Sequence, residues 1–180
     1  MDNGKIEKKK RLLQILVPVL IAITLAIIWL AKTHPAPTPI DGKSGDVADF
    51  VLEATVIDLD VLKEYDLPII IDFGADSCIP CKEMAPVLKT LNSEMQGKAI
   101  IKFVDVWKNG DAAKDFPVQV IPTQMFINAD GTPYMPSDDV EIKLDMYSFN
   151  DTGEHAFTVH QGGLTEEQMR TILADMRVVS

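Results

Sequence analysis

The sequence is poor in cysteine, in histidine and, over most of its length, in positive charge. Only two cysteines occur in 180 residues, Cys78 and Cys81. A disulfide framework needs more of them, spread along the chain. A structural zinc site needs a second Cys or His pair at ligand spacing, and the three histidines, His34, His155 and His160, do not supply one. Basic residues are concentrated at the start: residues 1–45 hold seven against three acidic ones. That leaves ten basic against twenty-four acidic residues in 46–180, a net charge of −14. So acidic a body repels nucleic acid phosphates and anionic lipid headgroups, which argues against nucleic-acid binding. No nicotinamide or flavin motif is present.

What is present begins with Leu12–Ala31, twenty residues without a charge, in which Gln14 and Thr24 are the only polar side chains. As a helix this run spans about 30 Å, the hydrocarbon thickness of a bilayer. Pro18 is tolerated in such a helix, and Trp29 sits where an indole favours the interface. The basic cluster Lys8-Lys9-Lys10-Arg11 precedes the run and only Lys32 closely follows it. The positive-inside rule therefore keeps residues 1–11 in the cytoplasm and sends residues 32–180 across a cell membrane. A cleaved signal peptide is the competing reading; the length of the run and the poor cleavage sites around Ala31 and Ala36 favour a retained single-pass signal anchor. Residues 32–45 carry Pro35, Pro37 and Pro39 before a Gly/Ser end, a semi-rigid tether. The globular domain is 46–180.

Within it, Phe50–Thr55 is expected as a first strand, and Asp58–Tyr65 as a short helix capped by Asp58. Leu67–Phe73 is a near-continuous apolar strand of the kind covered on both faces. A helix follows the cysteines, with Met84, Val87, Leu88 and Leu91 at helical spacing and Gly97 beyond its end. Ala99–Val106 and Thr123–Asn128 are further buried strands, with a short helix over 111–116 between them. Thr165 and Gln168 have capping-box spacing ahead of a last helix reaching about Val178. Strands alternating with helices, then antiparallel strands, describe a layered α/β sheet.

The two cysteines form one Cys-x-x-Cys, Cys78-Ile79-Pro80-Cys81, between a buried strand and a helix. That placement points to thiol–disulfide chemistry ahead of a structural or metal-binding role. Asp72-Phe73-x-Ala75-x-x-Cys78-x-Pro80-Cys81-Lys82, followed by Ala85-Pro86, resembles the active-site signature of the thioredoxin family. Val118-x-x-Ile121-Pro122-Thr123 resembles the loop whose proline is cis in that family, and Gly162 its late glycine. The resemblance covers about residues 48–130 and 156–178. It implies a three-layer α/β/α sandwich with a mixed central sheet and Cys78 at a helix N-terminus, where the dipole lowers a thiol's pKa.

The resemblance further implies a redox-active Cys78–Cys81 disulfide, with no other cofactor and no metal. Cys78 attacks a substrate disulfide, Cys81 resolves the mixed disulfide, and the buried Asp72 helps take the resolving thiol's proton. Ile79, Pro80, Ile121 and Pro122 are the residues it sets against the substrate. Lys102 lies near the family lysine that pairs with the buried acid, although a one-residue slip in register would turn it to the other face.

The chain departs from the pattern in three places. Gly74 and Ser77 stand where tryptophans commonly flank the first cysteine. Cys-Ile-Pro-Cys replaces the common Cys-Gly-Pro-Cys, which leaves the direction of electron flow open. Residues 132–155 form an insertion where the family has a tight turn. Alternation on both sides of Asn150–Gly153 reads there as an extra β-hairpin. The expectation is a membrane-tethered reductase of protein disulfides, supplied by a membrane thiol-electron carrier. The alternatives are a disulfide-forming oxidase of the same fold or a copper-delivery module.

Overall fold

A computed structural model describes residues 47–178. The anchor expected at Leu12–Ala31 and the tether at 32–45 lie outside them. Among the described residues no helix is long and apolar enough to cross a membrane.

The elements run α1 (Leu59–Lys63), β1 (Ile69–Gly74), α2 (Ile79–Glu94), β2 (Ile100–Asp105), β3 (Thr123–Ile127), β4 (Asp145–Ser148), β5 (His155–Gln161) and α3 (Glu166–Asp175), with single 3-10 turns at Val47–Phe50 and Gly110–Ala113. The strands form one mixed sheet in the order β2-β1-β3-β5-β4. β1 and β2 are parallel, a pairing that requires the long crossover α2 supplies; every other pair is antiparallel.

The apolar run of β1 is buried along its whole length because each face meets a different core. Ile70 joins Ile101 and Phe126 under Met84, Leu88 and Leu91 of α2 and Met169, Ile172 and Leu173 of α3. Ile69, Ile71 and Phe73 face the other way, with Val104, Met125 and Val159, toward Leu62 of α1 and Phe116. Each such aliphatic side chain contributes about 1.5–3 kcal/mol. The sandwich is thus three-layered but lopsided: two full helices cover one face, while a five-residue helix and loops cover the other. Local signals hold at the helix ends. Asp58 accepts from the Val61 N–H at the start of α1, and Thr165 and Gln168 close a reciprocal capping box.

Three expectations are corrected. Phe50–Thr55 is not a strand, because side chains take carbonyls at its start: Lys102 Nζ bonds that of Val51, along with that of Ala48 just before it, and Asn92 bonds that of Phe50. Only the Leu52 C=O and the Ala54 N–H reach β2, both through Phe103. The expected helix over 111–116 is a single 3-10 turn; Pro117 biases Phe116 away from helical backbone. The last helix ends at Asp175, where Arg177 turns left-handed (φ 65°) and the Val178 N–H returns to the Leu173 carbonyl.

The expected hairpin is present as the antiparallel pair β4–β5, and it belongs to the main sheet: β5 pairs with β3 and β4 forms the sheet's edge. The segment leading to it is also rooted in the core. Tyr134 is buried, its backbone N–H bonds the Phe126 carbonyl, and its hydroxyl donates to Asp175 of α3 at 2.5 Å. Of the two registers left open for Lys102, the structure takes the one that turns it away from Asp72. Opposite Asp72 on β2 stands Phe103, and Lys102 pairs one register place earlier, with Ile71. Its side chain therefore leaves from the far face of the sheet. There burial pulls its pKa below the ordinary value, with Asp49 opposing.

Candidate active site

Cys78 and Cys81 are joined in a disulfide. Cys78 is the N-cap residue of α2, its backbone extended (φ −80°, ψ 126°), and the Cys81 N–H points at its sulfur at 3.3 Å. Proline at N2, here Pro80, suits a helix start because the N–H it lacks has no partner in the first turn. The outer sulfur therefore sits against the positive end of a sixteen-residue helix. A thiolate released there is stabilised by the unpaired N–H groups and the dipole. Cys78 is partly exposed, with Ile79 (72 % exposed) and Pro80 beside it in solvent, whereas Cys81 is buried one turn inward.

Opposite Cys78 lies the 118–123 loop. The Ile121–Pro122 peptide is cis, and the Ile121 carbonyl oxygen is 4.0 Å from Cys78 Sγ. The Thr123 hydroxyl donates to the Val120 carbonyl, and the Gly162 N–H to the Pro122 carbonyl. Gly162 adopts φ +121°, which only glycine takes readily, so that contact requires a glycine there. The insertion braces the same loop from the side: Tyr147 of β4 accepts hydrogen bonds from Gln119 and from Gln161 of β5.

Behind the disulfide, Asp72 is fully buried. Burial pushes its carboxyl up to about 7, against the pull of one hydrogen bond from Gln124 Nε2 to Oδ1 at 2.6 Å. Oδ2 has no partner. Gly74 leaves a space that the acid and the inner sulfur both border. A Cβ on Gly74 would lie 3.3 Å from Asp72 Oδ2, 3.3 Å from Cys81 Sγ and 2.9 Å from the Phe103 ring. Where a tryptophan is common, this chain needs the smallest residue. Gln124 was not singled out from the sequence, although a signal existed: it is the one amide in the run Thr123–Ile127, which is buried throughout.

A third loop closes the rim. Asp105, at the end of β2, accepts from the backbone N–H groups of Asp76, Trp107 and Lys108. Burial alone would raise its carboxyl; those three donors and the Lys108 ammonium bring it below the usual range. Lys108 also pairs with Asp76. Ser77 and Trp107 are both exposed on this rim. The remaining histidines belong to the hairpin, His155 bonding Thr158 and the Phe157 carbonyl, and His160 the Lys143 carbonyl. Among the described residues no group of three His, Cys, Asp or Glu side chains could hold a metal ion.

A mixed sheet carrying a Cys-x-x-Cys disulfide at a helix N-terminus, opposite a cis-proline and over a buried acid, defines the class of thioredoxin-like α/β proteins. The family model described as Thioredoxin matches residues 51–144, and the chain belongs to the thioredoxin family. It is 47 % identical over 66 residues to thioredoxin 1 of Chlorobaculum tepidum, covering 37 % of this chain and 65 % of that protein. It is 40 % identical over 73 residues to thioredoxin H4 of Arabidopsis thaliana, covering 41 % and 61 %. The chain thus spans a little under two thirds of the length of these curated relatives. An X-ray structure of Fasciola hepatica thioredoxin aligns with TM-score 0.48 at 23 % identity, over 72 % of this chain and 100 % of that one. The family match ends before β4, so the hairpin and α3 lie beyond it.

Proposed function

We propose that the chain is a membrane-tethered, extracytoplasmic thiol–disulfide oxidoreductase that reduces disulfides in protein substrates. The observation that carries this reading is the Cys78–Cys81 disulfide at the start of α2, set between the cis Ile121–Pro122 bond and the buried Asp72.

In the reduced protein the Cys78 thiolate attacks one sulfur of a substrate disulfide, and the other substrate sulfur leaves as a thiolate that takes a proton from solvent. Ile79, Pro80, Ile121 and Pro122 line the approach, and the backbone beside Pro122 pairs with the substrate chain. The Cys81 thiol then passes its proton to Asp72 and attacks Cys78 Sγ, expelling the remaining substrate sulfur. Two electrons have moved from protein to substrate, and the protein is left with the Cys78–Cys81 disulfide. An acid near neutrality suits this step because it is ionised often enough to accept the proton and basic enough to want it.

Re-reduction needs an electron donor, because the chain carries no nicotinamide or flavin motif. The apolar run Leu12–Ala31 and its basic flank support an anchor in the cell membrane with the acidic domain outside the cytoplasm. A membrane protein that carries electrons as thiols is then the donor within reach. Disulfides persist in that compartment, so substrates are available.

Two measurements test the proposal. The full chain in detergent should reduce the disulfides of a model protein in the presence of a dithiol donor, and Cys78→Ser should abolish this; equal activity in the variant would sink the reading. A redox titration of the Cys78–Cys81 couple fixes the direction. A potential near about −270 mV supports a reductase, and one near about −120 mV makes the chain an oxidase.

A further inference from the structure

The amide facing Asp72 is in an unusual position for a residue of a buried strand. Gln124 is wholly buried on β3, and its Oε1 has no hydrogen-bond partner. An apolar side chain would fill the same place without burying an unsatisfied oxygen, so stability does not account for the glutamine. Register accounts for where it points: Gln124 is the direct cross-strand partner of Asp72 in the β1–β3 ladder. Its Nε2 lies 2.6 Å from Asp72 Oδ1 and 3.3 Å from Met84 Sδ.

We propose that Gln124 is a positioning residue for the proton transfer in the resolving step: by holding Asp72 Oδ1 it leaves Oδ2 as the oxygen that takes the Cys81 proton. The inference rests on the reading of Asp72 as proton acceptor made above. The two carboxylate oxygens are not equivalent. Oδ1 is engaged by the amide, while Oδ2 is unpartnered and shares with Cys81 Sγ a 3.3 Å approach to the point where a Gly74 side chain would begin. A carboxylate free to rotate would present either oxygen; one tied at Oδ1 presents Oδ2.

The surroundings leave this work to the amide. Around Asp72 stand Phe103 from β2, Cys81 and Met84 from α2, Gly74 from its own strand and Gln124 from β3. The only cation on the neighbouring strand, Lys102, sits on the opposite face with its amine held by two carbonyls. The Gln124 Nε2–H is thus the one polar hydrogen that the described residues direct at the carboxylate. Being neutral, it orients the acid and favours the ionised form modestly, without the strong stabilisation by which a salt bridge would suppress proton uptake.

The reduced full chain reacting with one equivalent of 5,5′-dithiobis(2-nitrobenzoate) separates the two thiol steps. The first coloured thiolate is released by Cys78 attack in a bimolecular phase, the second by Cys81 attack on the mixed disulfide in a unimolecular phase. Gln124→Met should leave the first phase unchanged, which also shows that the helix N-terminus is intact. It should slow the second about tenfold near neutrality and raise its pH midpoint by about one unit. Gln124→Asn, which keeps an amide but draws it back from the carboxylate, should shift the midpoint the same way by less. Asp72→Asn should remove the midpoint set by the carboxyl, leaving only the pH dependence of the Cys81 thiol's own ionisation. An unchanged second phase in Gln124→Met, with the midpoint lost in Asp72→Asn, overturns the role of Gln124 and leaves that of Asp72 standing. A second phase unaltered in Asp72→Asn overturns both, and release of a single thiolate by the native chain overturns the dithiol mechanism itself.

Discussion

Replacing Asp72 by asparagine should make the stability of the oxidised protein less sensitive to pH, and should stabilise it in alkaline solution. Burial moves the Asp72 carboxyl from 3.8 to about 7 in the folded state, whereas in the unfolded chain it titrates near its ordinary value. Between those two values the folded protein holds a proton that the unfolded chain has released. Because the folded pKa is the higher one, the associated stability is complete below about pH 4 and is lost as pH rises through about 7. The full span is roughly three units, or about 4 kcal/mol, of which more than half falls between pH 5 and pH 8.

Asp105, Asp130 and Asp175 also have shifted carboxyls, but all three are lowered, so they finish titrating below this window and cancel between native and variant chains. Urea unfolding of the oxidised full chain, followed by circular dichroism at pH 5 and pH 8, reads the difference. The native chain should lose about 2–3 kcal/mol more than Asp72→Asn over that interval. Parallel pH dependences in the two chains would refute the picture of a dry, cation-free carboxyl.

Three further outcomes follow from the contacts around the site. Asp105→Ala removes the acceptor for three backbone N–H groups that join the β2 end to the Asp76 loop. It should cost about 2–3 kcal/mol near neutrality; because that carboxyl is lowered, the difference should vanish as pH falls through its folded pKa, which unfolding at acid pH would show. Tyr134→Phe removes the hydroxyl that ties the insertion to Asp175, for an expected loss of about 1–2 kcal/mol of unfolding free energy in denaturant titration, without loss of redox activity. Tyr147→Phe removes the acceptor shared by Gln119 and Gln161. It should raise KM for protein disulfides severalfold while leaving the rate with a small disulfide unchanged, because only the bracing of the cis-proline loop is altered.

The parts of the fold governed by local rules were legible in the sequence. β1 shows as an apolar run buried on both faces, Asp58 and Thr165 as caps, and Cys78 at a helix start follows from the strand that ends ahead of it and the helical spacing that follows. What escaped the sequence depends on register or on competition for backbone groups. Phe50–Thr55 has strand-like composition, but Lys102 and Asn92 capture its carbonyls from elements about forty to fifty residues away. Whether Lys102 or Phe103 faces Asp72 turns on a single residue of β1–β2 register, which alternating hydrophobicity cannot fix when both strands are apolar on both faces. Gln124 was hidden for the same reason: its meaning appears only once β3 is laid antiparallel to β1. The insertion showed its hairpin but not its place, since nothing local says that β5 rather than β4 meets β3.

The central claim is that Cys78 is the nucleophile and Cys81 the resolving thiol. Replacing Cys81 by serine in the full chain removes resolution while leaving attack intact. Incubated with a disulfide-containing protein, the Cys81→Ser chain should accumulate a stable mixed disulfide, visible by mass spectrometry and mapped to Cys78, and a thiol reductant should reverse it. A chain that forms no such adduct, or a Cys78→Ser chain that forms one through Cys81 just as readily, would contradict the assignment.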